Sequence, residues 1–150
     1  MMKLLSLIYL VLTAMAAPVL DKRVETSSTG SIQINVSGLK NKEGQLGILI
    51  FTSKDGFPSD WQKAYRQILI PVSGDKVEYT FTDLPYGRYA VSVMHDENKN
   101  KKLDTNFIGI PKEGYGVSNN ATSSMGPPKF EDAAFTLDRS VIAMEIKVNY

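Results

Sequence analysis

Ile32, Ile34 and Val36 alternate with Ser31, Gln33, Asn35 and Ser37, the period of a strand with one wet face. Gly38 ends that run. After a turn-forming stretch at 40–44, residues 46–51 are apolar on both parities, which predicts a second strand covered on both faces and joined to the first as a hairpin. Gly56-Phe57-Pro58-Ser59 breaks the pattern. Ser59 or Asp60 is placed there to cap the one short helix the sequence offers, running to Gln67 with Trp61 and Tyr65 on one side. Residues 68–72 read as a third strand. Val77, Tyr79 and Phe81 mark a fourth, and Tyr89, Val91 and Val93 a fifth, with His95 by parity at its inward-facing end. From 96 to about 132 no period is sustained, a connection far longer than usual. Strand patterning resumes at 133–137 and 142–150. Seven strands separated by turns predict an all-β, antiparallel sandwich with one short helix and a long ordered loop.

The start of the chain follows a different logic. Lys3, the apolar run at 4–13 and Ala14-Met15-Ala16 have the order of a secretory signal peptide at residues 1–16, and the run is shorter than a membrane-spanning helix requires. Residues 17–30 are polar and without period, a flexible leader, so the sandwich domain is expected at 31–150. A secreted or periplasmic protein with no stable membrane insertion is the expectation. The chain carries 17 Lys+Arg against 16 Asp+Glu, so no global attraction draws it to nucleic acid or to an acidic membrane. Cysteine is absent, which removes disulfides, thiolate metal sites and a Cys nucleophile.

The chemically unusual segment is His95-Asp96-Glu97-Asn98-Lys99-Asn100-Lys101-Lys102-Leu103-Asp104. Counting from Asp96, the side-chain oxygens of Asp96, Asn98, Asn100 and Asp104 fall on alternate positions of a calcium loop, with Lys102 offering a backbone carbonyl. A hard divalent ion collects six to eight oxygens, and alternate residues of a tight loop aim at one point. Leu103 is expected to fold back onto the core. Two positions depart from the pattern. Lys101 stands where Gly normally makes the sharp turn, so it has to accept a positive or otherwise costly φ, and Phe107 stands where a bidentate Glu normally completes the shell. Glu97, Glu113 or Asp83 is left to complete it from elsewhere. The same Asn and Asp residues also favour turns without any ion, so an ionless loop held by Asx-turns stands beside the calcium reading.

Phe81-Thr82-Asp83-Leu84-Pro85-Tyr86-Gly87-Arg88-Tyr89-Ala90-Val91 resembles the strand–turn–strand signature of prealbumin-like and carboxypeptidase-regulatory-like sandwich modules. The segments from His95 through Asp104, Gly109-Ile110-Pro111-Lys112-Glu113-Gly114, Ser118-Asn119-Asn120 and Gly126-Pro127-Pro128 to Phe135 resemble a family of exported bacterial proteins known as a domain of unknown function. The resemblance covers about 31–150. It implies a small exported Ig-like/prealbumin-like sandwich with no assigned activity, and a motif that includes His95, Glu113, Ser118, Asn119 and Asn120 as a possible binding face. The family pattern carries Gly where this chain has Lys101.

Three functions follow as expectations. The first is a non-enzymatic envelope domain whose loop is ordered by calcium to meet a protein or glycan partner. The second is a metal-assisted hydrolase using His95 with Asp96 or Glu113, which requires a concave pocket at His95. The third is a small-ligand carrier, which requires an apolar cavity between the sheets. No G-x-S-x-G elbow, second histidine or phosphate-binding glycine loop is present to support another enzyme class.

Overall fold

A computed structural model describes residues 28–150. The expected signal peptide and the leader through residue 27 lie outside the described residues. The described residues form eight strands: β1 (Thr29–Ser37), β2 (Gln45–Phe51), β3 (Arg66–Pro71), β4 (Lys76–Pro85), β5 (Gly87–Asp96), β6 (Gly114–Val117), β7 (Phe135–Leu137) and β8 (Val141–Lys147). One sheet has the order β4-β1-β8 and the other β3-β2-β5-β6, with β7 also paired to β5. Strand β1 thus begins inside the expected leader.

The two sheets share one core. Alternation along β1 turns Ile32, Ile34 and Val36 inward, where they meet Leu46, Ile48 and Ile50 of β2 and Tyr89, Val91 and Val93 of β5. The opposite parity of β2 and β5 is buried as well. Leu49, Phe51 and Ala90 are covered by Val117, Phe130 and Ala133 in a second apolar cluster on the outer face of the larger sheet. The double apolar parity of residues 46–51 is explained by this covering, because the long connection after β5 folds back over that face.

The pairing departs from expectation in two ways. β1 and β2 do not form a hairpin; β1 pairs with β4 and β8, while β2 pairs with β3 and β5. Gly38 has φ 82°, and the following segment carries the chain across to the other sheet. The pairing of β1 with β8 is also parallel rather than antiparallel. A parallel pair needs a crossover, and here everything between the two strands supplies it.

Two elements lie outside the expected pattern. β6 hides in Gly114-Tyr115-Gly116-Val117, whose glycines leave no apolar period. A Cβ on Gly114 would sit within 2.6 Å of Val148 and Tyr150 side-chain atoms, so the strand is bare there because the chain after β8 crosses it. Phe130–Ala133 forms a single helical turn, α1, too short to show a helical period. The expected helix from Ser59 or Asp60 to Gln67 contracts to the 3-10 turn Trp61–Lys63, capped by Asp60 Oδ1 accepting from the Gln62 N–H at 3.0 Å. It ends early because Tyr65 N–H donates to Ile50 O at 2.7 Å and starts the approach to β3.

Candidate functional site

The site lies where β5 ends. Since β5 keeps its alternation to the last residue, His95 follows Val91 and Val93 to the core side and Asp96 takes the next position, and both have no exposed surface. His95 Nε2 is 2.8 Å from Glu43 O and its Nδ1 is 2.6 Å from Tyr150 Oη, which in turn accepts from Lys40 N–H at 2.9 Å. A carbonyl only accepts, so Nε2 carries a proton and donates to it. With Nε2 donating, Nδ1 is the ring nitrogen left to accept from the Tyr150 hydroxyl. Burial holds the Tyr150 hydroxyl above the ordinary tyrosine pKa; the Lys40 N–H opposes that shift and the Glu97 charge adds to it. His95 therefore ties the β1–β2 connection to residue 150, and neither of its nitrogens is free to act as a base on a substrate.

Asp96 holds the loop that follows. Its Oδ1 accepts from Asn100 N–H at 2.9 Å, and its Oδ2 accepts from Lys101 N–H at 2.9 Å and Gln45 Nε2 at 2.8 Å. The described ion pairs, Lys63–Asp55 and Arg139–Asp138, lie elsewhere, so this buried carboxylate is balanced by N–H dipoles. Turning two consecutive N–H groups onto one carboxylate needs left-handed backbone nearby, and Lys99 and Lys101 take φ 63° and 60°. The positive φ expected of Lys101 is present. Gly44 lies against the same corner: it has φ 68°, and a Cβ there would stand 2.1 Å from Asp96 O.

Glu113, only 5% exposed, closes the loop from its far side. One carboxylate oxygen accepts from Glu97 N–H and the other from Asp104 N–H, each at 3.0 Å. Of the residues left to complete a calcium shell, Glu113 alone reaches the loop ends. Glu97 takes a bond from Asn41 Nδ2 at 3.3 Å, and Asp83 lies in β4, near where β5 begins and so at the far end of β5 from Asp96. Asn98, Asn100 and Asp104 do converge. The amides of Asn98 and Asn100 donate to the two oxygens of Asp104, while their own carbonyls accept from Asn100 N–H and Lys102 N–H. Lys102 enters this network through its N–H. Among the described residues, no group of three or more His, Cys, Asp or Glu is placed to hold a metal ion.

The family model described as an uncharacterized protein conserved in bacteria (DUF2141) matches residues 34–145. The chain belongs to that family. No curated protein and no solved structure matches it. The DUF2141 match runs from within β1 to within β8, so Asp96, the loop and Glu113 all lie inside the family's domain.

The remaining candidates of the DUF2141 domain form a second cluster away from Asp96. Ser118 is fully buried: its Oγ accepts from Val91 N–H at 2.9 Å and lies 2.6 Å from Ala133 O. Asn119 and Asn120 take φ 60° and 47°. The Asn119 amide donates to Asp132 O and Ala134 O, and Asn120 bonds both Glu145 O and Lys147 N–H on the free edge of β8. His95, Glu113, Ser118, Asn119 and Asn120 therefore do not make one face; their polar atoms clip strands and loops together. Sequence reasoning missed Gln45, Glu43, Lys40 and Tyr150, which reach the site from distant segments that carry no local signal.

Beyond Asp104 the chain forms a small hairpin. Thr105 bridges Pro111, and Asn106 N–H donates to Ile110 O at 2.8 Å, leaving Phe107, Ile108 and Gly109 at the tip. Beside the hairpin a cleft of about 520 Å³ is lined by Leu103, Ile108, Ile110, Tyr115 and Pro127, among others. It opens on the outer face of the larger sheet, away from the inter-sheet core that a carrier would hollow out. Leu103, half-buried, also lines a smaller cavity with Leu49, Trp61 and Met94 on that face.

Proposed function

We propose that this DUF2141 protein is an exported, non-enzymatic binding module of the cell envelope, built as a prealbumin-like sandwich that presents a pre-shaped loop to a protein or glycan partner. The observation that carries the reading is the use of two buried carboxylates, Asp96 and Glu113, on the backbone of their own loop. Groups spent on loop shape are not free for chemistry. His95 with both ring nitrogens engaged supports the same reading, and the strand–turn–strand signature at 81–91 supports the finer fold assignment.

Calcium is the ion proposed to tighten the loop, through Asp96, Asn98, Asn100, Asp104 and the Lys102 carbonyl. A carboxylate has about four acceptor sites, and Asp96 gives three to the protein, which leaves room for one metal bond. Against the ion stand the amides of Asn98 and Asn100, which already satisfy Asp104. The expected affinity is therefore weak, about 10⁻⁴ to 10⁻³ M.

Thermal unfolding in EDTA, in calcium and in magnesium tests the ion. Calcium at a hundred times its dissociation constant stabilises by about 2.7 kcal/mol, a rise of several degrees for a domain of this size. The rise should vanish in the Asp96→Ala, Asp104→Ala double variant. An equal rise in that variant removes this loop as the ion site, and no rise in the wild-type chain leaves the loop held by its own hydrogen bonds.

A further inference from the structure

The hairpin tip goes beyond that reading. Phe107 is 99% exposed, Ile108 64% and Ile110 55%, and Ile108 and Ile110 line the cleft together with Gly126, Pro127 and Pro128. Single exposed apolar residues are ordinary, but Phe107, Ile108 and Ile110 on one short hairpin gather apolar surface that water does not favour. Basic residues flank it. Residues 98–112 carry Lys99, Lys101, Lys102 and Lys112 against the single acid Asp104, and none of these lysines is in a described ion pair. Lys112 N–H donates to Asp104 O, which puts Lys112 one rung below the Thr105–Pro111 bridge.

We infer that this hairpin is a peripheral membrane-docking tip: Phe107, Ile108 and Ile110 enter the interfacial layer of a bilayer while Lys101, Lys102 and Lys112 meet anionic headgroups. An apolar projection with a basic collar suits the boundary between headgroups and acyl chains, where apolar burial and charge attraction act together. The cores of protein–protein interfaces are instead depleted in lysine. The near-zero net charge of the whole chain does not oppose this docking, because salt screens distant charges and leaves the local ones. Docking of this kind is reversible and involves no membrane-spanning segment.

The absence of cysteine makes the test direct. A single Ile108→Cys carries an environment-sensitive fluorophore at the tip, and Thr80→Cys, exposed on β4 in the other sheet, carries the same label as a control. A tip label responds only when the tip itself enters the interface, so an apolar segment elsewhere in the full chain cannot mimic it. With vesicles of equimolar phosphatidylglycerol and phosphatidylcholine, the tip label should shift to the blue and the control should not. Each of Lys101, Lys102 and Lys112 changed to Ala should weaken vesicle binding about fivefold at low ionic strength, and Phe107→Ser should weaken it about tenfold or more. No shift on anionic vesicles overturns the proposal and leaves the tip as a protein contact. An equal shift at Thr80→Cys, or equal binding to pure phosphatidylcholine, overturns it too.

Discussion

The connection between β5 and β6 changes character at Asp104. On its N-terminal side, residues 96–104 are pinned by side chains that bond to backbone: Asp96 takes two N–H groups of the loop, Glu113 takes two more, and Asn98 and Asn100 close turns of their own. Beyond it, residues 105–111 have an Asx-type turn at Asn106, whose Oδ1 accepts from Ile108 and Ile110, and otherwise apolar side chains facing solvent. One half spends its polar groups on holding shape. The other leaves most of its apolar surface uncovered among the described residues. A loop built this way separates the work of positioning from the work of contact, and the two halves should answer differently to substitution.

Asp96→Ala should produce the largest effect. It strands the Lys101 N–H and the Gln45 amide and leaves the Asn100 N–H only its bond to Asn98 Oδ1, at a cost of about 3 kcal/mol, read as a fall in the urea midpoint with loss of hydrogen-exchange protection at Lys101. Glu113→Ala removes two such bonds and should cost about 2 kcal/mol by the same assay. Lys101→Gly works in the other direction. It relieves a side chain held at positive φ and should stabilise by roughly 0.5–1 kcal/mol, whereas Lys101→Val should destabilise by more than about 1 kcal/mol. Phe107→Ser, beyond the boundary, should change stability by less than about 0.5 kcal/mol in the same urea titration. A large loss there would erase the contrast between the halves.

The smallest effect is alkaline. Burial raises the Tyr150 hydroxyl pKa above its unfolded value, so the folded state holds its proton more tightly. The stability linked to this group is fully present below pH about 10 and is lost as pH rises through the raised folded value. Tyr150→Phe should flatten that alkaline limb of a stability–pH curve, at the cost of the bonds to His95 and Lys40.

Strand identity was largely legible in the sequence because sheet packing is written locally, one residue in and one out. The inward turn of His95 followed from Tyr89, Val91 and Val93, and the positive φ of Lys101 from its place in the loop. Partners were not legible. The parallel pairing of β1 with β8 joins distant residues whose patterns fit an antiparallel neighbour equally well. β6 escaped because its glycines respond to a crossing segment that reaches the sheet from after β8. The role of Glu113 was half visible: its proximity to the loop was anticipated, but bonding to Glu97 and Asp104 N–H groups depends on a hairpin whose closure the sequence does not announce.

The position of β1 between β4 and β8 sets an order in time. Its core residues Ile32, Ile34 and Val36 are made first, yet one flank of their sheet stays open until residues 141–147 arrive. No fragment released before β8 can finish that sheet, and contacts between such remote segments form slowly. A chain emerging from its N-terminus therefore leaves the smaller sheet with one open flank until almost all of its residues have followed.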